Sequence, residues 1–326
     1  MNISYLKYCC AFFCFQLLAN LQIFDDLKMR IIEQVQNPHS ISYEEYKNIE
    51  ALLHSINVDE EFPLVSKRCV FFFKEFKFVG DSKDDMPLFE TIHFNKDPSN
   101  KKRCIVTYVS YNDPYPEYVK DLINTLHEVG FDGHLIYRIG GYPNIENGSL
   151  DTLWVPYAFK AASITEAYLL GYENVLWLDS SMVPLNSLNK LFNHIEEHGY
   201  FTMGSATALG ADLMAGLINK IALKALEYPH KGILNKIRLT TPVFGVSLKS
   251  KIGKEFLIRF NKMAKKGIPF FSYWVDELVI TAIMCEMGLP ATGEWLEFFY
   301  KEGGEKAHNK HAFFKMRLKR PKGRVD

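Results

Sequence analysis

The residues with the clearest chemical potential follow a short apolar run near the middle of this 326-residue chain. Residues 175–178 are Val-Leu-Trp-Leu, a pattern typical of a buried strand, and Asp179, Ser180 and Ser181 come directly after them. Ligands of open α/β sheets bind beyond the carboxyl ends of the strands. The order therefore predicts a ligand site at Asp179. The structural alternative is a turn that this carboxylate merely caps.

Asp179 and Ser181 also resemble a metal-binding pair in which two carboxylates stand one residue apart. Such a pair holds Mg²⁺ or Mn²⁺, which prefer oxygen ligands and can neutralise a diphosphate. Because Ser181 offers a hydroxyl in place of the second carboxylate, another side chain would have to complete the shell, and Asp276, His308 and His311 are the candidates. The sequence leaves dependence on Mn²⁺ or Mg²⁺ open.

A predicted helix at 157–171 leads into the apolar strand and brings a lysine to the same place. The first turn of a crossover helix lies at the sheet edge that carries the carboxyl ends of the strands. We therefore expect Lys160 beside Asp179, where it could contact a phosphate or a sugar oxygen; the alternative is a solvated lysine at a helix start. The segments 110–113 and 140–156 follow two other predicted strands and are expected at this edge as well.

Further candidate groups lie later in the chain. Asp212, Asp276 and Glu277 occupy the first turns of predicted helices, where an acid could orient an acceptor hydroxyl, act as a general base, or simply stabilise the helix dipole. His308 and His311 belong to a tail cluster with a lysine that could close over a diphosphate. The alternatives for this tail are a solvated basic terminus or one attracted to an anionic membrane.

Alternating strand and helix patterns define the fold class. Strands at 104–109, 134–139 and 175–178 enclose helices at 116–129 and 157–171, which predicts βαβ units and a mostly parallel, Rossmann-like sheet flanked by helices. The remaining predicted elements are a helix at 186–198, a strand at 200–203, a flexible loop at 204–210, a helix at 211–228, a strand at 240–248, a basic helix to about 266 and a helix at 273–287. We assign 101–326 to this α/β domain and 25–100 to a partly helical N-terminal extension with a strand at 70–78.

The first 24 residues have a composition of their own. A lysine, an apolar run and a small residue precede two aspartates, which is typical of a signal peptide or membrane anchor and predicts a secreted or membrane-anchored protein. The alternative is the first helix of a cytoplasmic protein. Three of the six cysteines lie here, and the other three are scattered without CxxC spacing, which favours buried free thiols over disulfides or zinc.

Overall composition excludes several functions. Lys plus Arg equals Asp plus Glu, at 38 each, so no global charge favours nucleic acid as a partner. The sequence contains no GxxxxGK[ST] phosphate loop, no GxSxG elbow, and no GxGxxG after its first strand. These absences argue against a P-loop enzyme, an α/β-hydrolase and a dinucleotide dehydrogenase.

Two stretches resemble a known family. YAFKAASITEA at 157–167 and GYENVLWLDSS at 171–181 are similar to nucleotide-diphospho-sugar transferases of the GT-A fold, and more narrowly to a poorly characterised bacterial branch with YAFK and LWLDSS motifs. The resemblance implies glycosyl transfer from a nucleotide sugar to a glycan, lipid or protein acceptor, with the diphosphate as leaving group. It retains the first acid of the family's Asp-any-Asp motif as Asp179 and replaces the second with Ser181.

The resemblance also implies roles for individual residues. Asp212, Asp276 and Glu277 would lie near the acceptor as catalytic candidates. The donor would be bound by Ser110, Tyr111, Asn112, Asp113, Lys160, Asp179, Ser180 and Ser181. The missing second carboxylate favours an alternative function, a non-catalytic GT-A-like module that binds a glycan or a protein. A third alternative is another α/β enzyme that acts on phosphorylated substrates without a metal.

Overall fold

A seven-stranded mixed sheet forms the centre of the molecule. The computed structural model describes residues 86–109, 115–140, 155–226 and 230–294, with short pieces at 29–30, 33, 44–45, 48, 51–52, 82–83, 152, 299–301 and 314–316. The strand order is β10-β8-β9-β6-β4-β5-β3. β6 pairs in parallel with β4, which pairs in parallel with β5, whereas β9 runs antiparallel to both β6 and β8. Five of the seven strands thus point the same way, and the predicted α/β architecture is confirmed.

The elements have the following bounds along the chain. The strands are β1 Ser82–Lys83, β2 Met86–Pro87, β3 Phe89–His93, β4 Arg103–Val109, β5 His134–Ile139, β6 Asn174–Leu178, β7 Met182–Pro184, β8 Tyr200–Ala208, β9 Ile237–Ser247, β10 Gly293–Glu294, β11 Phe299–Lys301 and β12 Phe314–Met316. The helices are α1 Tyr115–Glu128, α2 Phe159–Leu169, α3 Asn189–His198, α4 Leu209–Met214, α5 Lys220–Ala225, α6 His230–Ile233, α7 Lys251–Lys266 and α8 Val275–Glu286, with a 3-10 turn at Ile268–Phe270.

Helices cover both faces of the sheet, and β6 shows why its sequence is continuously apolar. Val175 and Trp177 belong to the core beneath α2, α7 and α8, whereas Leu176 and Leu178 belong to the core beneath α1 and α3. All five residues of β6 are buried. A strand that is covered on both faces has no solvent side, so its side chains need not alternate between apolar and polar.

Most of the predicted elements are confirmed within a few residues. The strands at 104–109, 134–139 and 175–178 and the helices at 116–129, 157–171 and 186–198 correspond to β4, β5, β6, α1, α2 and α3. Glycines with positive φ end three of these units, at Gly130, Gly171 and Gly199, because this backbone region costs glycine little. None of the described helices combines the length and apolar character that a membrane crossing requires.

The region between β7 and β9 differs from its prediction. The single helix predicted at 211–228 is wrong, since α4 ends at Met214, Gly216 takes a φ of 72°, and α5 begins only at Lys220. The flexible loop predicted at 204–210 is also wrong over most of its length, because β8 continues to Ala208. Cross-strand pairing with β9 extends it: Gly204 lies opposite Leu239. A partner strand can order a glycine-rich segment whose own propensity for strand is low.

The first edge of the sheet precedes the region in which the sequence indicated strands. β3, at Phe89–His93, pairs antiparallel with β5 along its whole length. The strand predicted at 70–78 and the segment 1–24 lie outside the described residues. At the other end of the chain, β12 pairs antiparallel with β7, so that Met316 lies opposite Met182. The C-terminal segment therefore returns to the strand that directly follows Ser181.

Candidate functional site

Asp179 stands at the carboxyl end of β6, where the buried strand meets solvent. Its amide donates to the carbonyl of Pro242 at 2.8 Å, and its carbonyl accepts from the amide of Met182 at 2.8 Å. These two bonds fix the backbone in a tight turn between β6 and β7. The side chain is 32% exposed, although every residue of β6 before it is buried. The carboxylate is therefore held at the sheet edge with one side accessible to solvent.

Lys160, in the first turn of α2, reaches this carboxylate from inside the protein. The lysine is 1% exposed, and its Nζ lies 3.2 Å from Oδ1 of Asp179 and 2.7 Å from Oδ2 of Asp276. Nζ also donates to the carbonyl of Thr241 at 3.1 Å. The Thr241 carbonyl accepts a hydrogen bond from the ammonium, and the two carboxylates form ion pairs with it. One buried cation thus joins α2, the end of β6, β9 and α8.

The acids around Lys160 keep it charged. Burial by itself disfavours the ammonium, but Asp179, Asp276 and Glu277 outweigh this effect, and the net result raises the pKa of Lys160. With all groups ionised, one positive charge faces three negative charges, which leaves an excess of two negative charges. A cluster with this balance attracts hydroxyl donors or cations more readily than a phosphate.

Two aromatic rings complete the surroundings of the ion pair. Trp177 donates from Nε1 to Oδ1 of Asp179 at 2.6 Å, and the centre of its ring lies 5.1 Å from Nζ of Lys160. The Tyr157 ring centre lies 5.8 Å from the same ammonium. Both distances lie within the range of a cation–π contact. Oδ1 of Asp179 thus faces two donors, whereas no bond to Oδ2 is found among the described residues.

Tyr157 has an unusual backbone. Its φ of 62° is the one positive value for a non-glycine residue in the described part of the chain. A bulky residue in this region carries strain, and such strain concentrates at ligand sites. Sequence reasoning did not single out Trp177 or Tyr157. Trp177 had a signal, because residues two apart on a strand point to the same face and Trp177 precedes Asp179 by two.

Asp276 and Glu277 both approach Lys160, but from the interior. They occupy the first turn of α8 and are 1% and 6% exposed. Asp276 makes the shorter of the two ion pairs with the ammonium. A carboxylate in this position is best suited to holding Lys160, because a ligand would first have to displace the lysine.

Asp212 belongs to a separate buried ion pair. Nε of Arg238 donates to Oδ2 of Asp212 at 2.9 Å, and the two side chains are 10% and 5% exposed. The Arg238 guanidinium lies 3.9 Å from the ring centre of Trp274, the residue that caps the start of α8. The pair therefore packs against the helix start that presents Asp276 to Lys160.

The remaining predicted site residues divide into two groups. Ser180 is buried and Ser181 is half-buried, both in the turn after Asp179. The other predicted residues lie outside the described part of the chain: Ser110, Tyr111, Asn112, Asp113, His308 and His311. Phe314, three residues after His311, lies opposite Pro184 on β7.

Metal ligands are not clustered among the described residues. Among them, no three His, Cys, Asp or Glu side chains are grouped as metal ligands. The Asp179 carboxylate already has a cation beside it, the Lys160 ammonium. A divalent ion would therefore compete with a charge that the fold provides, and it would need ligands from elsewhere in the chain.

Comparison with known proteins finds remote structural likenesses. No protein-family model matches the chain, and no curated protein matches its sequence. The chain is similar to the galactosyltransferase LgtC, solved with donor and acceptor sugar analogues, at 10% identity over 66% of this chain and 87% of LgtC, with a TM-score of 0.39.

Two further solved structures give similar values. The bifunctional glycosyltransferase WbbM is 8% identical over 68% of this chain and 47% of its own, with a TM-score of 0.42. Mouse xyloside xylosyltransferase 1 is 10% identical over 66% of this chain and 97% of its own, with a TM-score of 0.40. At these TM-scores the likenesses carry no argument about activity.

Proposed function

We propose that this chain is a glycosyltransferase of the GT-A type that takes a nucleotide-diphosphate sugar as donor. In the reaction, an acceptor hydroxyl oxygen bonds to the anomeric carbon, the bond from that carbon to the diphosphate breaks, and the hydroxyl proton passes to a base. The observation that carries the proposal is the Asp179 carboxylate, half-exposed at the end of β6 and held there by Lys160 and Trp177. The similarity of 157–167 and 171–181 to the GT-A family and its bacterial branch supports the same function.

The geometry assigns different tasks to Asp179 and Lys160. Oδ1 of Asp179 faces the lysine and the tryptophan, so Oδ2 is the atom that can accept a hydrogen bond from a sugar hydroxyl. Lys160 is buried and forms ion pairs with two carboxylates of its own protein, so we expect it to act by fixing Asp179. We expect Asp179 to contact the donor and Lys160 to position it. Preorganised groups of this kind lower the cost of ordering the site when the ligand binds.

The charge balance favours the sugar, rather than the diphosphate, as the group bound at this cluster. One cation and three acids repel a further anion, whereas they attract the hydroxyl groups of a hexose. The leaving diphosphate then requires positive groups from other parts of the chain. His308 and His311 are the sequence candidates for this task, and a Mn²⁺ or Mg²⁺ ion bound there would supply further charge stabilisation.

One observation favours the alternative of a non-catalytic glycan- or protein-binding module. Ser181 removes the second carboxylate of the family motif, and Lys160 is neutralised on all sides by acceptors of its own protein. A cluster of this kind could serve only to hold α2, β9 and α8 together at the end of β6. The module would then bind its ligand at the same edge without breaking the donor.

Calorimetric titration separates these functions. The full chain is titrated with a panel of nucleotide sugars, with and without Mn²⁺, beside an Asp179→Asn variant and an Asp132→Asn control. Asp132 is exposed and lies just before β5 begins, at the opposite edge of the sheet. The proposal expects one donor to bind wild type and the control, and to bind Asp179→Asn at least tenfold more weakly. Failure of every donor to bind wild type would contradict it.

A further inference from the structure

Helix α7 presents a row of lysines to solvent, which we call the lysine stripe. It comprises Lys251, Lys254, Ile258, Lys262 and Lys265, all of them exposed. Their spacing of three or four residues places all five on one face of the helix. Ile258 sits at the centre of this face, and its residue exposure is 64%. The stripe therefore carries four positive charges around one protruding apolar side chain.

The buried side of the helix holds the stripe in place against the sheet. Phe256 and Phe260 pack against Phe244 of β9 on the buried side. The acidic Glu255 is paired with Arg259 at 2.6 Å, outside the stripe. The exposed face of α7 therefore presents four ammonium groups to solvent on a chain whose overall charge is zero.

Apolar side chains of α2 extend this surface. Nδ2 of Asn261 donates to Oγ1 of Thr165 at 2.8 Å, which joins the two helices side by side. Because α2 runs antiparallel to β6 and α7 runs antiparallel to β9, the two helices are antiparallel to each other. The residues one turn after Thr165 on α2 therefore lie beside Ile258, which is one turn before Asn261 on α7. The exposed side chains at this end of α2 are Tyr168 at 42%, Leu169 at 54% and Leu170 at 40%.

We propose that the lysine stripe, with the exposed apolar end of α2, docks the protein on an anionic phospholipid surface. Lysines near an anionic leaflet each add attraction, and apolar side chains among them can enter the headgroup layer. A nucleic acid would match the lysines but would leave the four apolar side chains without a partner. Charge complementarity together with these side chains therefore favours a bilayer.

The apolar end of α2 lies away from Asp179. Helix α2 begins beside Asp179 and ends at Leu169, so its exposed end is at the opposite edge of the sheet. Lys101, just before β4 begins, donates from Nζ to the carbonyl of Leu170 and marks the same edge. Docking centred on this end of α2 keeps the bilayer at the edge opposite Asp179. The inference is thus independent of sugar transfer.

Vesicle co-sedimentation of the full chain tests the docking. Wild type is mixed with vesicles of phosphatidylcholine alone and of phosphatidylcholine with about one third phosphatidylglycerol. Two variants are compared, one with the four stripe lysines changed to Gln and one with Ile258→Ser. A control changes four exposed lysines elsewhere to Gln, removing the same charge: Lys96, Lys190, Lys220 and Lys224.

The docking surface predicts a specific order of binding. Wild type and the control bind the anionic vesicles, the four-lysine variant binds at least tenfold more weakly, and Ile258→Ser is intermediate. Raising the salt to about 0.5 M releases wild type, because salt screens the attraction between the lysines and the lipid headgroups. Two results overturn the proposal. In the first, wild type does not co-sediment with anionic vesicles; in the second, the four-lysine variant binds them as well as the control does. The second would also assign any binding to other parts of the chain. If wild type binds a nucleic acid but does not bind anionic vesicles, a bilayer is not the partner of this surface.

Discussion

Nζ of Lys160 lies 2.7 Å from Oδ2 of Asp276 and links the first turn of α2 to the first turn of α8. Both side chains are almost completely buried. The two helices pack on the same face of the sheet, and the ion pair sets the position of each helix start relative to the end of β6. A ligand site at Asp179 depends on this link, because the same ammonium holds the Asp179 carboxylate.

The Lys160→Met variant should lose substantial stability. Methionine leaves Asp276 buried without its cation, and breaking a buried ion pair from one side costs about 3–5 kcal/mol. Urea denaturation measures the free energy of unfolding. The double variant Lys160→Met with Asp276→Leu should recover part of the loss, because the buried carboxylate of Asp276 is then removed together with its cation. A loss below about 1 kcal/mol for the single variant would show that the pair is not buried as described.

The Trp177→Phe variant should weaken donor binding more than it weakens the fold. Phenylalanine retains a ring near Lys160 but removes the Nε1 donor to Asp179, a bond to a charged group that is worth about 1.5–3 kcal/mol. Binding of the donor identified by titration should weaken roughly tenfold. Phe244→Leu is the matched control: its ring neighbours Trp177 in the same core and makes no contact with Asp179. Equal effects of both variants on binding would rule out a positioning role for Trp177.

The Asp212→Ala variant distinguishes a structural from a catalytic acid. Its partner Arg238 is buried against Trp274, so the substitution leaves a buried guanidinium unpaired and should cost about 3–5 kcal/mol of unfolding free energy. At a temperature where the variant is still folded, donor binding should change less than threefold. If the variant kept the free energy of unfolding of wild type but lost sugar transfer, Asp212 would instead be a catalytic acid.

Stability should decline in acid because of His134. This side chain is buried and bonds to Tyr172, Asn95 and His93. Burial, followed by the charges of His93 and Lys101, lowers the pKa of His134 below its ordinary value of 6.5. As the pH falls, the His134 side chain of the unfolded chain is protonated before that of the folded protein. The contribution of neutral His134 to the free energy of unfolding is therefore complete above pH 6.5 and is lost as the pH falls below that value. Denaturation at several pH values measures the decline, and His134→Gln should flatten it; an unchanged slope in the variant would exclude His134 as the source.

The sequence predicted the parts of the site that depend on local pattern and chain order. The apolar run before Asp179 indicated β6, and the crossover rule placed Lys160 at the same sheet edge, where the structure has the two side chains in contact. Asp276 was a candidate as a metal ligand and as an acid at a helix start, not as a partner of Lys160. Its burial and its pairing with Lys160 arise from the packing of α8 on β9, which no local pattern encodes.

Strand pairing explains the errors in the fold. β8 continues through Gly204 because β9 supplies its hydrogen bonds, and β3 exists because β5 has a free edge for it. The second half of β8, Gly-Ser-Ala-Thr-Ala, lacks strongly strand-forming residues, so sequence propensity underestimates it. The Trp177–Asp179 bond could have been predicted from the alternation of side chains along β6 and its continuation.

Release of nucleoside diphosphate from a sugar nucleotide by the purified full chain tests the central claim most directly. Wild type, Asp179→Asn and the Asp132→Asn control are each incubated with the donor panel and Mn²⁺, with the free diphosphate measured over time. The proposed function predicts release by wild type and the control, and release at least a hundredfold slower by a folded Asp179→Asn variant. Donor that binds at Asp179 but is never cleaved, with any acceptor supplied, would contradict catalysis and leave the binding module as the function.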